Sequence, residues 1–486
     1  MAKFQYKYQM YKHLQANINS IFADARKAAE DIGIPAEKKG ALGLTGAISG
    51  CPAPLRKDIM EASEKGAVKV IPLSSLVEEI RELVKSVYGD GFDVAPVATC
   101  EAGMWLSFDV LFTPPMMGRG DNYRARYIAP YEKHMHHQAG YGRPFPGKYK
   151  DFLADRGATA GELGFYGKRQ NNLDTIIVPL EGANYDVHGI KHHPAPLLTG
   201  VDPDASFDTL KKTAERHASM LTGITSLGYE TPGYGYAAKD SDGIPKLQKY
   251  YAKLAKDFNI PYVVDNAWGL PFVGFDPVKT GADVVVYSMD KATGAATSGL
   301  IIGKEDHMVP IRRAMGMHGD RWGSLASYGK AAYVTFDPGK EALLTQIQAL
   351  KVLRDNPEVL TAPVDDLFLL VRDEFSRLPA ELQDGILISK SYNSTAVEVN
   401  YEGTWKNGKM GIPIFTIEDM YANSNIFQTG LNHMGVIPTV AYDANIYISP
   451  GLGTTDENGA LLEEETRWCL RSLVKLIEIT CGYAGI

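Results

Sequence analysis

The sequence lacks long apolar runs. Among its 486 residues, no stretch approaches the roughly 18 consecutive apolar residues that a membrane-spanning helix requires. Residues 1–19 mix Lys, Gln and Tyr with apolar residues and contain no unbroken apolar segment, which argues against a secretory signal peptide. We therefore expect no association with a membrane.

Cysteine is also scarce, and no two cysteines form a CxxC pair. Disulfide frameworks and cysteine-based zinc sites need numerous or closely spaced cysteines, so neither is expected. This usage favours a reducing, cytoplasmic location. The four cysteines are Cys51, Cys100, Cys469 and Cys481.

Basic residues do not outnumber acidic ones. The chain has 50 Lys and Arg against 58 Asp and Glu, which gives a net charge of −8 at pH 7. Proteins that bind nucleic acid through its phosphates usually carry an excess of positive charge. We therefore expect a small-molecule ligand and no nucleic-acid partner.

The middle of the chain alternates short apolar segments with amphipathic helical segments, of which residues 244–258 are the clearest. This alternation predicts an α/β fold whose sheet is largely parallel and buried on both faces. After Phe336 a long helical segment and alternating strands predict a separate, smaller α+β domain. Near the N-terminus we expect one helix over 8–32 and a loop over 40–54. The expected units are an N-terminal helical segment that packs with the small domain (1–84), a large domain (85–335) and the small domain (336–486).

Polar side chains follow two apolar strands of the predicted sheet. Asp265-Asn266-Ala267 comes directly after one strand, and residues 288–291 (Ser-Met-Asp-Lys) end the other. In open α/β sheets, ligands bind beyond the carboxyl ends of the strands. The sequence therefore predicts an acid, a hydroxyl and a lysine at one crevice, unless Asp265 is only a helix cap and Lys291 only a surface residue.

These residue types suit pyridoxal phosphate. A lysine amine can form a Schiff base with the cofactor aldehyde, and a carboxylate can pair with the protonated pyridine nitrogen. A hydroxyl three residues before the lysine can bind the phosphate. Asp265 and Lys291 are therefore our candidate catalytic residues, and Ser288 is a candidate phosphate ligand.

The segment resembles the fold type I pyridoxal-phosphate enzymes, the aspartate aminotransferase superfamily. These enzymes carry a strand ending in D-x-A, then S-x-x-K, then a strand like residues 298–303 (SGLIIG), and the three motifs occur here in that order. The resemblance implies a large domain with a mostly parallel, seven-stranded type of sheet between helices. It also implies pyridoxal 5'-phosphate as cofactor, with Ala267 beside its ring, and a homodimer or a dimer-based oligomer.

The resemblance extends to Thr99, Cys100, Glu101 and Ala102, which stand where the family carries its phosphate-binding loop. They come after an apolar run and before a helix, whose N-terminus favours a phosphate group. The alternative is that Thr99 is a plain helix cap with Glu101 in the first turn. Cys100 replaces a glycine or serine of the family pattern.

Many family members stack a histidine or an aromatic residue on the cofactor ring. Residues 134–137 (HMHH) offer three histidines, and Tyr185 and His188 are later alternatives; we expect His137 to take this role. His134 and His136 would share one face of a strand, as metal ligands can. They have no carboxylate or cysteine at ligand spacing, so no metal is expected.

Candidate substrate residues lie after the lysine and near the C-terminus. Arg312 and Arg321 follow the lysine strand, and arginine is a natural partner for carboxylate or phosphate. Residues 445–450 resemble the strand on which many aminotransferases carry the arginine that binds the substrate carboxylate. Tyr447 stands in its place here, which weakens an assignment as an ordinary aminotransferase.

Within the superfamily, residues 220–325 are most similar to the branch that contains the bacterial selenocysteine synthase and the O-phosphoseryl-tRNA selenium transferase. This similarity favours β-elimination or replacement on a small, amino-acid-like substrate, catalysed through Lys291. An aminotransferase is the second interpretation, and a decarboxylase or C–C lyase the third. A non-enzymatic binding protein on the same fold is the remaining alternative.

Overall fold

The computed structural model describes residues 4–5, 7–45, 47–48, 51–52, 54–112, 126–130, 174–178, 180–182, 184–186, 195–316, 337–405, 410–413, 426–439, 441–442 and 444–486. Its longest helices and its principal sheet occur where the sequence places amphipathic and apolar segments.

The strands are numbered in chain order. They are β1 (Leu42–Gly43), β2 (Ala47–Ile48), β3 (Cys51–Pro52), β4 (Phe92–Val97), β5 (Arg126–Pro130), β6 (Asp174–Val178), β7 (Asn184–Asp186), β8 (Ala195–Leu197), β9 (Leu221–Leu227), β10 (Tyr262–Asp265), β11 (Val284–Ser288), β12 (Gly299–Lys304), β13 (Leu387–Ser391), β14 (Ala396–Asn400), β15 (Val436–Ile437), β16 (Ala441–Tyr442) and β17 (Asn445–Ile448).

The helices are numbered in the same way. They are α1 (Lys7–Ala16), α2 (Ile18–Ile32), α3 (Lys57–Ala67), α4 (Leu73–Tyr88), α5 (Cys100–Ser107), α6 (Pro203–His217), α7 (Lys246–Phe258), α8 (Pro277–Thr280), α9 (Glu305–Ala314), α10 (Lys340–Asp355), α11 (Glu358–Phe375), α12 (Ala380–Gln383), α13 (Ile426–His433) and α14 (Glu463–Ala484). None of these helices is long and apolar enough to cross a bilayer.

The large sheet has seven strands in the order β4-β12-β11-β10-β9-β5-β6. All neighbours are parallel except β12, which runs antiparallel to β11 and to β4. The central strands consist of buried, mostly apolar residues, as expected for a sheet covered by helices on both faces. The predicted α/β fold with a mostly parallel sheet is confirmed.

The direction of the strands fixes where the polar clusters lie. Because β9, β10 and β11 are parallel, Leu227, Asp265 and Ser288 end at the same edge of the sheet. Val97 at the end of β4 pairs with Gly299 at the start of β12, so the turn into α5 lies at this edge too. The opposite edge carries Asp93 and Lys304.

The described residues form two principal apolar cores. The first surrounds the large sheet and includes residues of α3, α4 and α10, such as Ile59, Ile80 and Leu350. The second joins α1, α2 and α14 to the four-stranded sheet β13-β14-β17-β16. The N-terminal segment therefore divides between the cores. Its first two helices pack with the small domain, as we expected of the whole segment, but α3 and α4 pack on the large sheet.

Two local expectations differ from the structure. The helix expected over 8–32 is broken at Asn17, whose side-chain amide donates to the carbonyl oxygen of His13 at 2.8 Å. Side chains of this type compete with the helical hydrogen bonds of the backbone. The loop expected over 40–54 contains the short strands β1, β2 and β3, and β1 pairs with β15 of the small domain.

Candidate active site

Asp265 lies at the carboxyl end of β10, between β9 and β11. Backbone bonds continue beyond the strand: Gly228 donates to the Asp265 carbonyl at 2.8 Å, and Asn266 donates to that of Val286 at 2.9 Å. The Asp265 carboxylate is 7% exposed and accepts the Ala267 N–H at 3.1 Å. The sheet therefore holds a nearly buried carboxylate at the edge where ligands bind in this class of fold.

Lys291 lies in a tight loop between β11 and β12. The loop closes through the backbone N–H of Met289, which donates to Ser298 at 2.9 Å, and that of Ala295, which donates to Met289 at 2.9 Å. From outside this loop, the guanidinium of Arg56 donates to the Thr293 carbonyl oxygen at 3.1 Å. The backbone of this loop is thus fixed from two directions, while Lys291 itself is only half-buried.

Ser288 directs its hydroxyl proton to Asp290. The Ser288 hydroxyl donates to the Asp290 carboxylate, and both residues are buried. A phosphate group offers acceptors, so it would need this hydroxyl to turn away from Asp290. The structure therefore gives Ser288 a partner that the S-x-x-K spacing did not predict.

The N-terminus of α5 reaches the lysine loop. Thr99 caps the helix by accepting the Ala102 N–H at 3.0 Å, and Cys100 and Ala102 are buried while Glu101 is exposed. A Cβ atom on Gly299 would be 2.6 Å from the carbonyl oxygen of Thr99. The positive end of the helix dipole thus lies directly beside the exit of the lysine loop.

The body of α5 packs on the face of the sheet to which Asp265 belongs. A Cβ atom on Gly103 would be 2.8 Å from Val286, the residue that pairs with Asp265 in the parallel register. Thr225 lies two residues before the end of β9 and also belongs to this face. Its hydroxyl is fully buried and has no hydrogen-bond partner among the described residues.

One aromatic ring lies beside the lysine and begins a series of packed rings, of which only Tyr447 was expected from the sequence. The Lys291 amine lies 6.0 Å from the centre of the Trp268 ring. That ring is 5.5 Å from the ring of Tyr229 and 5.5 Å from that of Tyr447, and Tyr234 stacks on Tyr447 at 5.7 Å. Trp268 follows Asp265 by three positions, so the D-N-A-W segment contained a signal for it. Tyr229 and Tyr234 come from a separate loop and gave no signal, whereas Tyr447 had been identified by its place on the strand near the C-terminus.

Burial and charge keep Tyr229 protonated. Its pKa is well above the usual value because the side chain is buried and because the charge of Asp265 lies nearby. Its hydroxyl oxygen accepts the backbone N–H of Trp268 at 3.3 Å. Tyr229 therefore links the carboxylate at the strand end to the packed rings of Trp268, Tyr229, Tyr447 and Tyr234, which we call the aromatic wall.

Tyr447 approaches the site from the small domain. Its hydroxyl donates to the Glu398 carboxylate at 2.6 Å, and both side chains are buried. The same carboxylate accepts the Thr231 hydroxyl and the Gly233 N–H of the large domain, the latter at 3.0 Å. Glu398 thus joins β14 and Tyr447 to the loop that carries Thr231 and Gly233, a role that its sequence context did not indicate.

The structure does not bring Arg312 together with the other candidate site residues. Arg312 lies on α9 and forms an ion pair with Asp93 at 2.7 Å, at the edge of the sheet opposite Asp265 and Ser288. It reaches that edge because β12 runs antiparallel and carries the chain away from the lysine. Two further candidates, His137 and Arg321, lie outside the described residues. Among the residues that are described, no three His, Cys, Asp or Glu side chains form a metal-binding group.

No protein-family model matches the chain. A curated relative, the L-seryl-tRNA(Sec) selenium transferase of Carboxydothermus hydrogenoformans, is 24% identical over 200 residues. The match covers 38% of this chain and 39% of that protein, so it spans well under half of the relative's length.

Two solved structures share the fold over most of their length. One is the complex of SepCysS with the N-terminal domain of SepCysE, with a TM-score of 0.51, 11% identity and coverage of 92% of this chain and 96% of that chain. The other is the adenosylmethionine-8-amino-7-oxononanoate aminotransferase of Methanocaldococcus jannaschii, with a TM-score of 0.51, 13% identity and coverage of 89% and 88%. These similarities show the fold of the fold type I pyridoxal-phosphate enzymes.

Proposed function

We propose that this chain is a pyridoxal 5'-phosphate enzyme of fold type I that acts on a small amino compound through Lys291. The observation that carries the proposal is the meeting of three features at one edge of the sheet. These are the buried carboxylate of Asp265, the half-buried amine of Lys291 and the N-terminus of α5.

The residues at this edge fit the cofactor. Asp265 would pair with a protonated ring nitrogen, and Ala267 has the short side chain that lets a ring lie close to the strand end. The first turn of α5, with Thr99, would hold the phosphate. The unpartnered hydroxyl of Thr225 is a buried polar group on the same face, and buried hydroxyls without partners are uncommon unless a ligand or water supplies one.

The bound cofactor would supply an electron sink for the bond that breaks at the substrate Cα. Lys291 would hold the cofactor covalently at rest and, once displaced by the substrate amine, would take the Cα proton at Nζ. Asp265 would keep the proton on the ring nitrogen. Trp268 and Tyr229 would exclude water from the side of the lysine that they cover.

We favour β-elimination or replacement as the reaction. The support is the sequence similarity to a selenium transferase over 200 residues. The net charge of −8 favours a free amino compound over a tRNA-bound substrate. Aminotransfer is the second candidate, and decarboxylation or C–C cleavage the third. We further propose that the chain works as a homodimer in the cytoplasm.

The first test is the absorption spectrum of the purified protein with added pyridoxal phosphate. We expect a band near ~420 nm that borohydride abolishes, and a reduced cofactor on the peptide that contains Lys291. Lys291→Ala should lose the trapped adduct. Lys253→Ala is the control, because Lys253 lies on the exposed face of α7, where it pairs with Asp257 of the same helix and lies over the ring of Phe207 on α6. An adduct that forms equally in Lys291→Ala would overturn the proposal.

The second test separates the reactions. Serine, phosphoserine and cysteine are offered to the protein loaded with cofactor, and pyruvate is measured. Pairs of amino acids and keto acids are then assayed for transamination. Pyruvate from a serine derivative, lost in Lys291→Ala, would support elimination, whereas transamination alone would favour the second candidate.

A further inference from the structure

The turn that joins β13 and β14 in the small domain, residues 392–395, is bonded to the two loops that follow β9 and β10. The backbone N–H of Asn393 donates to the carboxylate of Glu230, in the loop after β9, at 3.3 Å. Its carbonyl oxygen accepts the N–H of Leu270, in the loop after β10, at 2.6 Å. The small domain is therefore fixed to the large sheet at the edge where Asp265 lies.

The side chain of Asn393 forms a reciprocal amide pair with Asn266, the residue after Asp265. Nδ2 of Asn266 donates to Oδ1 of Asn393 at 3.1 Å, and Nδ2 of Asn393 donates to Oδ1 of Asn266 at 3.0 Å. Nδ2 of Asn393 also donates to the carbonyl oxygen of Gly228 at 3.0 Å. Both side chains are fully buried. Because breaking these bonds would leave polar groups unpaired and away from water, the pair has one strongly preferred arrangement.

Glycines in the two loops make room for this amide pair. A Cβ atom on Gly269 would be 2.2 Å from Nδ2 of Asn266, and one on Gly228 would be 2.6 Å from Oδ1. Gly274 has a φ of +76°, and a Cβ atom there would be 2.5 Å from the Cβ of Asn393. The backbone thus encloses both amides so closely that neither can turn without moving a loop.

The amide pair is directly linked to the Asp265 carboxylate. The peptide N–H that follows Asn266 belongs to Ala267, and it donates to the Asp265 carboxylate at 3.1 Å. On the other side, the N–H of Gly228 donates to the Asp265 carbonyl oxygen at 2.8 Å. A shift of Asn266 would therefore move the N–H group that orients the carboxylate.

We propose that Asn393 is a positioning residue, which acts through Asn266 to hold the Asp265 carboxylate in the orientation that pairs with the ring nitrogen of the cofactor. The proposal rests on the proposed function at Lys291. A hydrogen bond to a charged group depends strongly on distance and angle, so a site group must be held to within about 0.5 Å by the residues that support it. Asn393 supplies that support from the small domain.

The test compares two probes, pyridoxal phosphate and its deaza analogue, in which C–H replaces the ring nitrogen. Both carry the aldehyde that reacts with Lys291 and the same phosphate, but only pyridoxal phosphate can pair with Asp265. Each probe is titrated into the protein, the apparent Kd is read from absorbance, and the adduct at Lys291 is trapped with borohydride. In the wild type we expect pyridoxal phosphate to bind at least ~10-fold more tightly, a ratio typical of one hydrogen bond between charged groups.

Three variants test how this ratio of affinities depends on Asn393. Asn393→Ala removes the amide and keeps the backbone hydrogen bonds of the turn, so the ratio should fall by at least ~3-fold. Asp265→Ala should bring it near unity and marks the full effect. Asn400→Ala is the matched control, because it removes another buried amide of the small domain, one that pairs with Asn445. A merely structural role would weaken both probes equally and leave the ratio unchanged.

The outcomes separate this proposal from the one on which it rests. If both probes form the adduct at Lys291 and Asn393→Ala keeps the wild-type ratio, the positioning role is overturned and the proposed function stands. An equal fall in Asn400→Ala, or a wild-type ratio near unity, would overturn it too. Should thermal melts show that Asn393→Ala does not fold, Asn266→Ala removes the same pair from the other side, and an unchanged ratio there overturns the proposal. If neither probe forms an adduct at Lys291, both proposals fail together.

Discussion

Gly299 lies against Thr99 so closely that a Cβ atom on Gly299 would be 2.6 Å from the Thr99 carbonyl oxygen and 2.7 Å from the Cys100 nitrogen. No side chain fits between these two segments without moving backbone. The contact joins the exit of the lysine loop to the N-terminus of α5, two elements that are far apart in the sequence.

We therefore expect Gly299→Ala to separate the two elements. The variant should lose about 1–3 kcal/mol of stability and bind pyridoxal phosphate at least ~10-fold more weakly, because overpacking at this point moves both ligand-bearing segments. Thermal melts and absorbance titrations measure the two effects. Gly91→Ala is the matched control, since the space around Gly91 is open. Equal cofactor affinity in both variants would contradict this account.

The sequence could predict where the strands of the large sheet end, but not the direction of each strand. Apolar runs that end in Asp265 and Ser288 identify strand ends, because a buried strand excludes charged residues except where it reaches the edge of the sheet. The composition of β12 is the same for either direction of the strand, so its antiparallel direction could not be read from it. The position of Arg312, away from the other candidate residues, could not be foreseen for that reason.

Contacts between segments that are distant in the sequence could not be predicted from it either. In the sequence, Glu398 looks like an ordinary polar residue of an alternating strand. Its role becomes visible only in the structure, where β14 packs against the loop that carries Thr231 and Gly233. Trp268 differs, since it directly follows a motif that was identified. The local motif was thus predictable, whereas the side chains that complete the site depend on how the two domains pack.

Arg312 is expected to stabilise the fold without affecting the site. Its ion pair with the buried Asp93 is shared with Arg81, whose Nε lies 2.8 Å from the carboxylate. Arg312→Met should cost about 1.5–3 kcal/mol in chemical denaturation. Cofactor affinity should not change, because the pair lies at the opposite edge of the sheet. Arg313→Met, on the exposed side of the same helix, should cost little. A selective loss of substrate affinity in Arg312→Met, without the loss of stability, would instead support the original prediction of a substrate-binding role.

The same pair predicts a dependence of stability on pH. Burial alone would raise the pKa of Asp93, but the hydrogen bond from Arg81 and the charge of Arg312 lower it below its usual value of 3.8. A carboxyl with a lowered pKa stabilises the fold above pH 3.8, and this contribution is lost as the pH falls through the lowered value. The difference in the free energy of unfolding between wild type and Asp93→Asn should be largest at pH 7 and should shrink below pH 3.8. Urea titrations at several pH values measure it, and a constant difference would refute it.

Arg56 is expected to position the lysine loop. The buried guanidinium bonds the Thr293 carbonyl at 3.1 Å and the Asp58 carboxylate at 3.1 Å. Lysine cannot reproduce this planar fork, so Arg56→Lys should slow the trapping of cofactor at Lys291 and cost about 1–3 kcal/mol. Arg354→Lys is the control, because its pair with Asp355 is exposed. Trapping that slows equally in the two variants would argue against a positioning role.

Trp268 should report directly on occupancy of the site. The chain has five tryptophans, and Trp268 has its ring centre 6.0 Å from the Lys291 amine. A cofactor held by Lys291 absorbs where tryptophan emits, and quenching by energy transfer is strongest at such short range. In the wild type, added pyridoxal phosphate should therefore quench the tryptophan emission.

Trp268→Phe should remove most of the quenching that saturates with cofactor, while Trp468→Phe, a change of a partly buried ring that packs against the second core, should leave it in place. Both variants keep an aromatic ring, so folding should be largely preserved. The measurement is a fluorescence titration, read beside borohydride trapping at Lys291. If trapping proceeds normally but Trp268→Phe quenches as strongly as the wild type, the cofactor does not lie against this ring, and the aromatic wall is not part of its site.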